Sequence, residues 1–159
     1  MITTESGPLA DDLATRSRLA AAWASAMFLY AYADIIHFTL QPGSLEQIMA
    51  GALGGMELNG PMLFAAAALM TASSLMIVAS MVLPPRLCRA INIGFGAFST
   101  LLIPALALTG ENWGYYYLFN AFEVLLTAFI VWVAIRWPRL LPAQVVGEAR
   151  LGAMGPAAV

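Results

Sequence analysis

Three ionisable side chains interrupt the long apolar stretches of this 159-residue sequence: Asp34, His37 and Glu123. A charge at the depth of a lipid bilayer costs at least a few kcal/mol, so such groups usually face the interior of a helix bundle or water. Two carboxyls and one imidazole could hold a proton, bind a small cation or bind the polar head of an amphiphile. The sequence therefore indicates one candidate polar site.

Helical spacing places further polar and aromatic residues beside these three. Side chains at positions i, i+3, i+4 and i+7 lie on one face of a helix. By this rule one stripe holds Trp23, Met27, Tyr30, Asp34 and His37, and a second holds Tyr116, Asn120, Glu123 and Thr127. If the two stripes face each other, we expect the ligand-binding residues to be Tyr30, Asp34, His37, Tyr116, Asn120 and Glu123.

The two carboxyls are expected at nearly the same depth. Asp34 lies about 9 Å along a helix from Leu40, and Glu123 lies about 12 Å from Tyr115, at 1.5 Å per residue. Glu57 lies in the intervening loop, where it is either a solvated acid or a cap over the site. A structural interpretation stays open: Asp34 could pair with His37, and Glu123 could hydrogen-bond to Tyr30 or Asn120 as a contact between helices worth about 1 kcal/mol.

Metal and catalytic signatures are missing from the sequence. One histidine with scattered carboxylates lacks the spacing of zinc or di-iron sites, so we expect no metal site and the sequence indicates no particular cofactor. Cys88 is the only cysteine, which excludes an intramolecular disulfide. No GxSxG or HExxH motif is present, so we identify no catalytic residue, and an enzyme is the less favoured class.

The composition is that of an integral membrane protein. Hydrophobic residues make up 61% of the chain and charged residues 10%, with a mean hydropathy of +0.80. Soluble domains have roughly 25% charged residues, so soluble and disordered classes are excluded. The net charge of -2 gives no reason to expect a nucleic-acid partner. The expected partner is the lipid bilayer.

The segments that would position the candidate site residues are four runs of about 20 apolar residues. Each is long enough to cross a bilayer as a helix. We place them near residues 19–40, 61–83, 90–109 and 115–135, each followed by a proline, glycine or charged stop signal. The predicted fold is thus an all-α bundle of four transmembrane helices. The membrane domain covers residues 16–139, between flexible tails at residues 1–15 and 140–159.

The seven basic residues are all arginine, and they predict the orientation. They precede the first span, fill the loop between the second and third spans, and follow the fourth: Arg16, Arg18, Arg86, Arg89, Arg136, Arg139 and Arg150. The loops at residues 41–60 and 110–114 contain none. The positive-inside rule then places both termini in the cytoplasm.

The first outer loop and several small residues add local expectations. Ser44 and Gln47 have the spacing of a capping box, which predicts a short interfacial helix over residues 44–50 that ends at Gly51. Pro104 predicts a kink that widens the bundle near the polar site. Small residues favour close helix packing on the second span (Ala65, Ala68, Ala72 and Ala79) and on the third (Ala90, Gly94, Gly96 and Thr100).

Three short motifs carry a resemblance to a known family. They are Tyr30-Ala31-Tyr32-Ala33-Asp34, residues 54–61 (GGMELNGP), and Tyr115-Tyr116-Tyr117 followed by Glu123. Over residues 16–137 the chain resembles a family of small bacterial four-helix membrane proteins described as a domain of unknown function, with an architecture similar to that of DoxX-like bundles. The resemblance implies a four-helix fold and a bacterial inner membrane, but no reaction.

Three classes of function remain open. The first, which we favour, is a membrane-embedded binding or transport protein for a small cation, proton or amphiphile, and transport would need a homo-oligomer. The second is an accessory or scaffold protein that assembles with another membrane protein through a small-residue face, with purely structural polar groups. The third is a membrane redox enzyme, by analogy with DoxX-like proteins alone.

Overall fold

The computed structural model describes residues 8–53, 56–108 and 113–137. Within these residues the chain forms five helices and one small hairpin. In chain order they are α1 (Pro8–Leu40), α2 (Ser44–Met49), β1 (Ala52–Leu53), β2 (Met56–Glu57), α3 (Gly60–Val82), α4 (Pro85–Ala107) and α5 (Gly114–Arg136). The four long helices are apolar and long enough to cross a membrane, as the sequence predicts.

The observed helix ends differ from the predicted ones at the start of α4, which begins at Pro85 and so includes Arg86 and Arg89, and most of all at the start of α1. This helix begins at Pro8 and includes residues 8–15, whose composition predicts a flexible tail. Contacts between successive turns support the early start: Thr15 Oγ1 donates to the carbonyl of Asp11, and Arg16 Nε donates to Asp12 at 2.7 Å. The predicted end of the third span at residues 109–112, and the C-terminal tail, lie outside the described residues.

The long helices pack in the order α3, α1, α5, α4. Helix α1 packs against both α3 and α5, and α4 packs against α5, whereas α3 and α4 touch at few positions. The turn at residues 83–84 joins α3 to α4, so the two helices are close at this turn and lie farther apart toward their other ends. We call the end of the bundle at this turn the Arg16 end, and the opposite end, which carries α2, the α2 end.

The main core lies toward the Arg16 end. Trp23 and Ile130 are fully buried there, packed with neighbouring side chains of all four long helices. The Trp23 indole donates to Asn92 Oδ1 at 2.8 Å, and the Asn92 amide donates to the carbonyl of Cys88 at 2.9 Å. Trp23 thus belongs to a core contact between α1 and α4, although it lies on the same predicted stripe as Asp34.

Arg16 fastens α1 to the end of α3. Its guanidinium donates to the carbonyls of Ser80, Met81 and Leu83 at 3.3, 3.3 and 2.8 Å. Ser80 and Met81 lie in the last turn of α3 and Leu83 is its C-cap residue, where carbonyls have no partner within the helix. Trp137 completes the cluster, because its indole donates to Asp12 Oδ1 at 3.0 Å and its ring lies 5.3 Å from the guanidinium.

The small residues of α4 have two different environments. Gly96 is buried against α5: a Cβ atom placed on it would lie 2.9 Å from Val131 Cγ2. Thr100 Oγ1 donates to Thr127 Oγ1 on the same interface at 2.9 Å. Ala90 and Gly94 are exposed, so the predicted packing stripe is wrong for these two residues. They lie on the opposite face because the true contact face follows Cys88, Asn92, Gly96 and Ser99.

The connection from α1 to α3 contains α2 and the hairpin. The predicted helix forms, but the capping box is wrong: Gly43, at φ 84°, is the N-cap residue, and Ser44 is buried as the first helical residue. Gly51, at φ 77°, ends the helix with the left-handed conformation that glycine favours. Tyr115 OH then donates to Gln41 Oε1 at 2.8 Å, which joins the start of α5 to the end of α1.

Candidate functional site

A cavity of about 590 Å³, counting its open mouth, lies among the four long helices toward the α2 end. The space that the centre of a water-sized molecule can occupy is about 100 Å³, so the cavity is small and much of its volume is the open mouth. The lining residues are Tyr30, Ala33 and Asp34 of α1; Leu69, Met70 and Ser73 of α3; Ser99, Leu102, Ile103 and Leu106 of α4; and Tyr116, Asn120 and Glu123 of α5.

Asp34 and Glu123 both line this cavity. Glu123 is buried, with 4% of its surface exposed, whereas Asp34 is exposed. The two carboxyls come from neighbouring helices, α1 and α5, which pack along each other. An ion or head group in the cavity can therefore approach one deep and one accessible carboxyl.

Five of the seven predicted ligand-binding residues line the cavity: Tyr30, Asp34, Tyr116, Asn120 and Glu123. His37 and Glu57 do not. The His37 ring packs against Tyr116 with ring centroids 5.8 Å apart, and its Nδ1 atom is buried without a hydrogen-bond partner among the residues that the structure describes. Glu57 lies in β2 of the hairpin, away from the cavity lining.

The pairings of the structural interpretation are not formed among the described residues. Asp34 and His37 lie beyond ion-pair distance, and Glu123 makes no hydrogen bond with Tyr30 or Asn120. The amide of Asn120 donates instead to the carbonyl of Tyr116 at 2.8 Å. The site thus brings most of the predicted polar groups together, but neither acid forms the ion pair or hydrogen bond that the structural interpretation expects.

Two serines complete the polar lining and were not predicted. Ser73 is 1% exposed and Ser99 is 3% exposed. Within the described part of the chain the Ser99 hydroxyl has no hydrogen-bond partner, which is uncommon for a buried polar group. Ser99 could have been noticed in the sequence because it lies seven residues after Asn92 and so shares its helix face.

The remaining lining is apolar and comes mainly from α3 and α4. Leu69 and Met70 of α3 lie across from Leu102, Ile103 and Leu106 of α4. Pro104 lies within this part of α4, where its ring removes one helical hydrogen bond, and the residues beside it line the cavity. The cavity therefore has an acidic, aromatic side on α1 and α5 and an apolar side on α3 and α4.

The arrangement can bind a positive charge or accept a proton, because carboxylates, an amide and hydroxyls supply acceptors. In the described part of the chain, no group of three or more His, Cys, Asp or Glu side chains is placed to hold a metal ion. The chemical character of the site comes from two acids beside an apolar wall.

Comparisons with known proteins give a family but no function. No curated protein and no solved structure shows significant similarity to the chain. Residues 12–142 match a family of unknown function, DUF6326, and this segment includes all four long helices except the first turn of α1. The match covers most of the sequence, and the chain therefore belongs to this family of unknown function.

Proposed function

We propose that this protein is a membrane-embedded binding or transport protein for a small cation, a proton or an amphiphile. The observation that carries the proposal is that Asp34 and Glu123, from two helices distant in sequence, line one cavity. A buried carboxyl is costly in a membrane, and a functional site gives a reason for its presence. The absence of a described ion-pair partner for either acid leaves both available to a ligand.

The proposed location is the bacterial inner membrane, with both termini in the cytoplasm and the α2 end facing the extracytoplasmic side. The arginine distribution supports this orientation, because the described arginines lie at the Arg16 end of the long helices. The hairpin and α2 would then lie at the outer interface, beside the cavity. If the protein transports its ligand, we propose that it does so as a homo-oligomer, because four helices are few to enclose a pathway across the membrane.

The test uses purified protein in proteoliposomes on a solid-supported membrane. Concentration jumps of protons, sodium or decylammonium are applied, and the transient current from ligand binding or transport is recorded. We expect a current for at least one of the three with the wild-type protein, and at least a tenfold smaller current for the D34N/E123Q variant. E57Q is the matched control, because it removes an acid outside the cavity, and it should keep the wild-type current.

Equal currents from the wild-type protein, the double variant and protein-free liposomes would contradict the proposal. Circular dichroism and size-exclusion profiles of both variants establish that the helices and the particle size are unchanged. A loss of current that accompanies a loss of folding would favour the structural interpretation of the two acids.

A second candidate function is assembly with another membrane protein, for which the α3 surface is the specific observation. Ala65 and Ala68 are exposed, as are the neighbouring side chains of Leu63 and Phe64. Small residues at such a face let another helix approach closely. This candidate predicts that Ala68→Leu changes the size of the particle extracted in mild detergent, whereas D34N/E123Q does not.

A further inference from the structure

We infer that the ligand of this cavity is a cationic amphiphile, with an ammonium head between Asp34 and Glu123 and an apolar tail along α3 and α4. The inference rests on the proposed binding function and narrows its substrate class. It favours an alkylammonium compound over a bare proton, a metal ion or an anionic lipid.

The charge of the lining selects a cation. Two acids line the cavity, and no arginine or histidine is among its lining residues. The arginines that make described contacts act elsewhere: Arg16 binds the end of α3, Arg89 donates to the carbonyl of Ile135, and Arg136 lies over the Trp132 ring. An anionic head group would therefore meet two carboxyls with no basic side chain in the lining, whereas an ammonium group would meet two acidic acceptors.

The neutral polar groups suit an ammonium head. The Ser99 hydroxyl is buried in the lining and has no hydrogen-bond partner in the described ranges, so it can accept a hydrogen bond from a ligand. Tyr30 and Tyr116 contribute aromatic rings beside the acids, and such rings attract cations through their faces. An –NH3⁺ group can donate three hydrogen bonds and so use several of these acceptors at once.

The apolar wall of the cavity indicates that the ligand has an apolar tail. Leu69, Met70, Leu102, Ile103 and Leu106 form one side of the cavity. A proton or a metal ion gains nothing from these side chains, whereas an alkyl chain is stabilised by burial against them. The combination of an acidic side and an apolar side in one cavity matches a molecule with a charged end and an apolar end.

The helix arrangement gives such a molecule a path from the bilayer. Helices α3 and α4 carry the apolar wall and have few contacts with each other. An amphiphile dissolved in the membrane can therefore enter sideways between them with its tail still in an apolar environment. A hydrophilic cation would have to cross the same apolar surface unaided.

The test is photolabelling of the full chain in lipid nanodiscs. Three decyl probes carry the same diazirine at mid-chain and differ only in their head group: an ammonium, a hydroxyl or a carboxylate. Labelled residues are mapped by peptide mass spectrometry. We expect the ammonium probe to label the α3 and α4 wall, around Met70 and Ile103, at least tenfold more than the other two.

Competition and variants extend the test. Unlabelled decylammonium should suppress this labelling, whereas tetramethylammonium, which has no tail, should not at the same concentration. D34N/E123Q should reduce labelling by the ammonium probe to the level of the hydroxyl probe, while E57Q should leave it unchanged. The comparison among probes on the wild-type protein does not depend on whether the double variant folds.

Each alternative result has one meaning. Equal labelling by all three probes would show a general lipid site and overturn the inference. Sodium or proton currents that depend on Asp34 and Glu123, without selective ammonium labelling, would overturn the inference and leave the proposed function standing. The absence of both currents and labelling would remove both proposals.

Discussion

At the scale of single residues, the buried polar groups of this bundle differ in how completely they are paired. Asn92 is fully buried and uses both ends of its amide, accepting from Trp23 and donating to the carbonyl of Cys88. Ser99, about two turns further along the same face of α4, is buried with no hydrogen-bond partner among the described residues. A fully paired group contributes to stability, whereas an unpaired group in a cavity costs stability and is available to a ligand.

The Asn92 contact gives a prediction about stability. Asn92→Ala leaves the buried Trp23 N–H without an acceptor, so we expect the free energy of unfolding to fall by about 1–2 kcal/mol. The measurement is unfolding in mixed micelles by titration with sodium dodecyl sulfate. Ser74→Ala is the matched control, since the Ser74 hydroxyl is exposed and bonds only within α3. Equal stabilities for the two variants would show that the Trp23 contact adds nothing.

The sequence was sufficient to find the acids and their neighbours on α1 and α5. Both depth and helical phase can be computed from residue spacing: depth places Asp34 and Glu123 at nearly the same level, and phase groups each acid with the neighbours on its own helix. The apolar half of the site could not be predicted, because Leu69, Met70 and Leu102 look the same as any lipid-facing residue until the helices are placed. His37 is excluded from the lining for a similar reason: it lies one turn beyond Asp34, where its ring packs on Tyr116.

At the scale of the helices, close packing is unequal around the bundle. The α4–α5 interface is tight at Gly96, whereas α3 and α4 separate and leave the cavity between them. Hydropathy predicted the number and approximate length of the four long helices because span length is set by the membrane. It could not predict which faces meet, since lipid and protein neighbours are equally apolar, and this explains the error at Ala90 and Gly94.

Two glycines of α4 offer a matched test of the tight interface. Gly96→Ala should lower the free energy of unfolding by about 1–3 kcal/mol, because the added Cβ would overlap Val131. A Cβ on Gly94 would meet no atom within 4 Å, so Gly94→Ala should be neutral or slightly stabilising through its better helix propensity. Unfolding titrations of the two variants in the same detergent check this. If Gly94→Ala lowered the free energy of unfolding as much as Gly96→Ala does, the result would contradict the observed packing.

Arg16 and Arg18 provide a second matched pair, on α1. Arg16→Gln removes the donors to the carbonyls at the end of α3 and leaves Asp12 without its ion-pair partner. We therefore expect the free energy of unfolding to fall by about 2–3 kcal/mol. Arg18 is exposed, and Arg18→Gln should change stability by less than about 0.5 kcal/mol. The readout is again the free energy of unfolding. Similar losses for both variants would mean that the contact with α3 is not specific.

At the scale of the whole molecule, four long helices and an asymmetric distribution of arginine predict a definite topology. An even number of crossings places the two termini on one side, and the proposed side is the cytoplasm. The cavity would then open in the outer half of the bilayer. The position of the site relative to the membrane follows from this orientation, so an inverted protein would present the acids to the cytoplasmic half.

Reporter fusions in a bacterial host measure the topology. Green fluorescent protein at the C-terminus should be fluorescent, and alkaline phosphatase at the same position should be inactive, because the first matures in the cytoplasm and the second requires the periplasm. Alkaline phosphatase fused within residues 41–43, after α1, should be active. The reverse pattern would contradict the orientation without changing the fold.

The most direct measurement of the central claim, that Asp34 and Glu123 share one cavity, is modification with dicyclohexylcarbodiimide, an apolar reagent for carboxyls within membranes. Because one adduct would fill the shared cavity, we predict a single adduct per chain by intact mass spectrometry, located by peptide mapping at Asp34 or Glu123. Asp34→Asn and Glu123→Gln alone should each leave one adduct, and the double variant none. Two adducts on the same chain, at both residues, would contradict the account.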